Sequence, residues 1–115
     1  MTIELNRTAL THARKLVEQG DVVRDERDDW SEHAPSAADE NAYIEKHGYK
    51  EYGQWFLGVD DEKDSETKAH YSFPIGDFKK VHRCGVISAE SRAAQNDHDD
   101  IAKALKNLLE LIDKK

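Results

Sequence analysis

Apolar residues recur at helical spacing near both ends of the chain. Over residues 6–19 the shared face carries Ala9, Leu10, Ala13, Leu16 and Val17. Gly20 follows as a C-terminal stop. Over residues 99–113 the shared face carries Ile101, Leu105, Leu108, Leu109 and Ile112. The period of this pattern predicts two amphipathic helices that each bury one side.

A third helix is predicted from Asp77 to Gln95. Pro74 bars the preceding residues from a helix, and the Asp77 carboxylate can cap the first turn. Apolar or small residues cover most of the circumference, which is typical of a helix buried on more than one side. A row of small residues would let the last helix pack closely and antiparallel against it, at Gly85, Ala89 and Ala93. We therefore interpret residues 77–95 as the central helix.

The middle of the chain changes from helical to β-favouring patterns. Ser36 and an acidic residue three positions later resemble a capping box, and they predict a short helix that ends at Gly48. The aromatic run 49–59 and the alternating run 68–75 flank a polar loop, which predicts a β-hairpin. The expected fold is one α+β domain over residues 1–115, mainly helical, with one small antiparallel hairpin packed on a C-terminal antiparallel helix pair.

Charge is distributed unevenly along the chain, whose formal net charge is −7. Residues 1–77 hold nine basic and eighteen acidic residues, whereas residues 78–115 hold eight and six. An acidic surface repels phosphate backbones, so we expect no nucleic-acid binding and a protein partner on the acidic N-terminal half. No apolar leader or membrane span is present in the sequence, so we expect no membrane association and a cytoplasmic location.

Residues with catalytic or metal-binding chemistry form no recognised motif. His82 and Cys84 suggest a Cys/His nucleophile, but two positions apart on a helix their side chains would diverge. Cys84 is therefore interpreted as a small packing residue. The six histidines include no i, i+4 pair, there is no CxxC, and the acidic loop 60–66 lacks the glycine and glutamate of an EF-hand. We expect no catalytic residue, no metal and no cofactor.

The segment from Tyr71 to Ile112 resembles a group of small, uncharacterised bacterial and phage- or prophage-associated proteins. In these an aromatic-Pro-x-Asp segment leads into an Ala-rich helix, and a second amphipathic helix follows. The matching residues are Phe73, Pro74, Asp77, Val81, His82, Arg83, Ala89, Arg92, Ala93, Gln95, Ile101 and Ala104. The resemblance covers the last two fifths of the chain and implies a helical pair; it implies no settled activity.

Three functional hypotheses follow from these observations, and the third is metal-dependent chemistry with ligands that tertiary contacts would have to bring together. The favoured one is a small non-enzymatic protein-interaction or structural domain, of phage or mobile-element origin. Aromatic side chains dominate interfaces, so its contact surface would involve Trp30, Tyr49, Tyr52 and Trp55. The apolar faces close either within one chain or across a homodimer.

The alternative is a small-molecule or anion-binding protein, or a minor enzyme. Its pocket would lie between the hairpin and the central helix, around His70, His82 and Arg92. Arg92 has two interpretations in this arrangement. It either bonds to loop carbonyls or to a carboxylate of the acidic half, or it recognises an anionic ligand.

Overall fold

Helices dominate the computed structural model, which describes residues 3–25, 30 and 34–114. The described helices are α1 (Arg7–Gln19), α2 (Ala37–His47), α3 (Tyr49–Tyr52), α4 (Arg83–Gln95) and α5 (Asp99–Lys114). The described strands are β1 (Ile3–Leu5), β2 (Val22–Val23), β3 (Phe56–Asp60), β4 (Tyr71–Pro74) and β5 (Val81–His82). The predicted α+β class is confirmed, since these helices surround a small antiparallel sheet.

The predicted ends of the two N-terminal helices are confirmed by their caps. The side chain of Asn6 accepts the N–H of Ala9 at the start of α1, and Gly20 ends that helix in the left-handed region at φ 87°. Ser36 and Asp39 form the reciprocal capping box of α2. Both signals act over a few residues, which is why the sequence revealed them.

The predicted hairpin is formed by β3 and β4, but its first strand starts later than expected. Tyr49–Tyr52 is helical and Gly53–Trp55 is a 3-10 turn, so the strand begins at Phe56. The short β1 adds to the other edge of β3 and gives the antiparallel order β1-β3-β4. A three-residue strand shows too little alternation to be predicted.

The central helix also begins later than predicted, at Arg83 rather than at Asp77. The Asp77 carboxylate accepts the N–H groups of Lys79 and Lys80, and this local turn competes with a helix. Phe78 has φ 71°, outside the right-handed helical region. Val81 and His82 then form β5, which pairs in parallel with β2.

The main core lies where α4 and α5 pack on each other and on α1. Its fully buried residues from α5 are Ile101, Leu105, Leu108 and Ile112. Ala89 and Ala93 belong to this core, as predicted for a close helix pair. Gly85 does not face α5, because a Cβ added there would lie 3.1 Å from the ring of Trp30. No helix in the described ranges is both long and apolar enough to cross a membrane.

Candidate functional site

A cavity of about 410 Å³ lies between β4 and the C-terminal end of α4. Its apolar and aromatic lining residues are Ile3, Phe56, Tyr71, Phe73 and Pro74. Its polar lining residues are Ser72, Arg92, Asn96 and His98. The cavity has a volume typical of small-molecule sites and combines an apolar wall with a few polar groups, as such sites do. We refer to it as the Arg92 pocket.

Arg92 is the principal charge of this pocket. Its side chain is exposed in the last turn of α4, and within the described ranges no carboxylate pairs with it. The ion pair that the sequence suggested as one role for Arg92 is thus not formed among these residues. An arginine remains protonated at any physiological pH and presents its donors in a planar fork. The guanidinium can therefore bind an anion without first breaking an internal ion pair with a described residue.

Two residues at the Arg92 pocket have unusual backbone conformations. Phe73 has φ 63° and Asp97 has φ 60°, a region that costs a residue with a side chain about 1–3 kcal/mol. The Phe73 ring packs over Gly58, where an added Cβ would lie 2.7 Å from it. The same ring meets His98 edge-on at 5.7 Å. The Phe73 ring thus lines the pocket beside the ring of His98.

The two histidines predicted for this pocket, His70 and His82, lie elsewhere. His82 precedes the first turn of α4, about 14 Å along the helix axis from Arg92. His70 lies in a 3-10 turn before β4, where its Nδ1 is 2.9 Å from the carbonyl oxygen of Lys63. Of the three predicted residues, only Arg92 lines the cavity.

Of the two tryptophans predicted for a contact surface, Trp55 is buried and Trp30 is half-buried. Trp55 is 4% exposed, and its Nε1 donates to the hydroxyl of Tyr43 at 3.4 Å. Tyr52 is 1% exposed in the same aromatic cluster. Trp30 is half-buried over Gly85, and its ring lies 5.8 Å from that of His82. Trp55 and Tyr52 are therefore core residues, and neither offers a surface to a partner in this conformation.

A buried polar cluster joins the start of α4 to the segment after β2. Oδ2 of Asp25 lies 2.7 Å from Nδ1 of His82, and Oδ1 accepts the N–H of Cys84 at 2.8 Å. Nε2 of His82 lies 2.9 Å from Oδ2 of Asp77, although the two are poorly aligned for a hydrogen bond. The side chains of His82 and Asp25 are 6% and 5% exposed. Asp25 thus caps α4 from a distant part of the chain, a role that the sequence assigned to Asp77.

The cluster also brings the thiol of Cys84 to the histidine. One ring nitrogen of His82, a carboxylate oxygen of Asp25 and Sγ of Cys84 all lie within 4.8 Å of one another. The expected divergence of His82 and Cys84 is wrong, because His82 belongs to β5 and only Cys84 lies on the helix. Asp25 and His82 are 57 positions apart, so no spacing rule could have found the arrangement.

The cluster does not have the arrangement of a thiol nucleophile. Cys84 is fully buried, so a substrate has no access to its sulfur. Both ring nitrogens of His82 face carboxylates, whereas a general base needs a nitrogen aimed at the thiol. Burial raises the pKa of Asp77, but the contact with His82 and two backbone N–H groups outweigh it and hold that pKa below its usual value. The cluster can cap a helix, hold charge and coordinate a metal.

A second, larger groove of about 640 Å³ lies between α2 and the loop that follows β4. Three aromatic rings stack along it: Tyr43 lies 4.5 Å from Phe78 and 4.5 Å from His47. Lys46 and Lys79 lie at its rim. No residue of α2 is fully buried, so this helix contributes a surface more than a core.

Comparison of the chain with protein-family models, with curated proteins and with solved structures found no match. The resemblance of the C-terminal segment to phage-associated proteins therefore stays a prediction. The functional argument depends on the sites of this chain alone.

Proposed function

We propose that this protein binds a small anionic ligand in the Arg92 pocket. The ligand class is a carboxylate or phosphate attached to an apolar body such as a ring. The observation that carries the proposal is the pairing of an exposed guanidinium, with no carboxylate partner in the described ranges, and an apolar cavity of about 410 Å³.

The polar and the apolar lining residues suit the two parts of such a ligand. Arg92 offers paired donors to an oxyanion, and charge-assisted hydrogen bonds contribute about 1.5–3 kcal/mol each. Ser72 also lines the pocket, and its hydroxyl adds a neutral donor. The wall of Phe56 and Phe73 would take the apolar body.

The test compares charged ligands with an uncharged one. It also compares the loss of an arginine in the pocket with the loss of an arginine elsewhere on the surface. Phenyl phosphate and benzoate are titrated by calorimetry, with benzyl alcohol as the uncharged match. We expect the two anions to bind and to raise the melting temperature, whereas benzyl alcohol does not. Arg92→Ala should weaken binding about 10- to 100-fold, which corresponds to the loss of about 1.4–2.8 kcal/mol.

Arg14→Ala is the matched control, because it removes the same charge from an exposed position on α1. It should bind the anions as the parent protein does. Binding that is unchanged in Arg92→Ala would contradict the proposal, and so would the absence of binding by both anions.

A second candidate function is a protein contact in the groove between α2 and the loop after β4. Its support is the aromatic stack of Tyr43, His47 and Phe78 on a helix that the core does not bury. The excess of acidic residues over 1–77 favours a basic partner segment, whose cations would pair with Asp39 and Asp77, the two carboxylates that line the groove with Lys46 and Lys79. This is the interaction hypothesis of the sequence with a different contact surface, since Trp55 and Tyr52 are core residues.

A Lys- and Phe-containing peptide titrated under nuclear magnetic resonance tests this candidate. We expect amide shifts along α2 that disappear in Phe78→Ala and persist in Arg92→Ala. Light scattering at physiological salt shows whether the partner is a second copy of the chain. Shifts that are spread over the whole protein, or no shifts, would contradict a contact at this groove.

A further inference from the structure

We propose that Asp25, His82 and Cys84 form a binding site for one transition-metal ion, with Zn²⁺ as the preferred occupant. The proposal does not depend on the Arg92 pocket, which lies at the opposite end of α4. It starts from the three ligand atoms that lie within 4.8 Å of one another in a buried part of the fold.

The distances suit a metal after small shifts of the ligand side chains. A tetrahedral Zn²⁺ holds its ligands at about 2.0–2.3 Å, so neighbouring ligand atoms lie roughly 3–4 Å apart. The three ligand atoms lie within 4.8 Å of one another, and the 2.7 Å contact between Oδ2 of Asp25 and Nδ1 of His82 would widen by about 0.5 Å. Because Asp25 already lies on Nδ1, we assign that nitrogen to the metal.

The combination of donors selects the metal class. A thiolate, an imidazole and a carboxylate together suit Zn²⁺ and disfavour Ca²⁺ and Mg²⁺, which take oxygen ligands. Three protein ligands leave a fourth tetrahedral position for water. A water molecule is small enough to fill this fourth position in a buried site.

Asp77 lies where its carboxylate could orient the His82 ring without itself binding the metal. Ligating histidines usually donate their second ring N–H to a carboxylate, which fixes the tautomer and the orientation of the ring. Nε2 of His82 lies 2.9 Å from Oδ2 of Asp77, and a small rotation of the ring on metal binding would align this contact as a hydrogen bond. Asp77 is therefore a positioning residue, and its loss should lower the affinity of the site for the metal about 10- to 100-fold.

The ligand set also balances the charge of the ion. A thiolate and a carboxylate together carry two negative charges, which offset the two positive charges of Zn²⁺. The side chains of His82 and Asp25 are 6% and 5% exposed, and a buried ion is tolerated only where its charge is compensated.

The experiment uses Co²⁺ as a spectroscopic probe and Zn²⁺ as a competitor. Cys84 is the only cysteine of the chain, so a thiolate-to-cobalt charge-transfer band reports this site alone. We expect such a band at one Co²⁺ per chain, displaced by one equivalent of Zn²⁺. Zn²⁺ should also raise the melting temperature of the parent protein.

Three variants test a metal ligand, the positioning residue and an exposed histidine that serves as the control. Cys84→Ala keeps the contact of Asp25 with His82, so it should fold, yet it should lose the band and the Zn²⁺-dependent rise in melting temperature. Asp77→Asn should keep the band and bind about 10- to 100-fold more weakly. His47→Ala removes an exposed histidine and should behave as the parent protein does.

Absence of the charge-transfer band in the parent protein would overturn the proposal. So would a Zn²⁺-dependent rise in melting temperature that is as large in Cys84→Ala as in the parent, since that rise would come from surface histidines. Neither result would bear on anion binding at Arg92, so the two proposals fail independently.

Discussion

Replacing Asp25 by alanine removes two carboxylate contacts that the structure describes at the start of α4. The first is the cap on the N–H of Cys84, at 2.8 Å, whose loss costs about 0.5–2 kcal/mol of folding free energy. The second is the contact with Nδ1 of His82, at 2.7 Å. Its loss leaves a buried donor unsatisfied on that side, which costs about 1–3 kcal/mol.

Together these losses predict a fall of about 1.5–5 kcal/mol in the free energy of unfolding. That is a large part of the roughly 5–15 kcal/mol that a domain of this size possesses. Asp25→Asn should cost less, about 1–3 kcal/mol, because an amide oxygen can still accept the N–H of Cys84. Glu18→Ala removes an exposed carboxylate from α1 and should change stability by less than about 0.5 kcal/mol.

Urea denaturation followed by circular dichroism measures these changes by linear extrapolation. A chelator in the buffer separates the effect from metal binding. A double-mutant cycle with His82→Gln should give a coupling of more than about 0.5 kcal/mol. If Asp25→Ala unfolds within about 0.5 kcal/mol of the parent protein, the cap and the buried contact do not stabilise α4 as described.

Three further predictions concern other parts of the fold. Gly76→Ala should destabilise strongly, since its Cβ would lie 2.5 Å from the carbonyl oxygen of Lys80, a backbone atom that cannot move alone; a melting temperature equal to that of the parent would contradict this. Arg83→Ala should cost less than about 1 kcal/mol in denaturant titrations, because its ion pair with Asp113 is partly exposed and screened; a larger loss would mean a structural role beyond that pair. Burial lowers the pKa of His12 below 6.5, so acid protonates the unfolded chain first and stability should fall as the pH decreases through 6.5. The difference in stability between the parent and His12→Phe should show this trend, and a difference that is constant with pH would refute it.

The sequence by itself determined the elements whose signals are local. The helix α1 lies between Asn6 and Gly20, and α2 begins at the capping box of Ser36, because a cap and its partner are only a few residues apart. The apolar face of α5 was readable for the same reason, since neighbours on a helix recur every three or four positions. These features predicted the fold class and the C-terminal helix pair.

The tertiary structure alone decided the start of α4 and both candidate sites. Asp77 carried a cap signal, but its carboxylate bonded to its own turn, and Asp25 took over the cap from 59 positions away. The Arg92 pocket needs β4 beside the end of α4, and the Asp25 cluster needs β2 beside β5. Such contacts depend on how whole elements pack, and a side chain carries no sequence signal for a partner that many residues away.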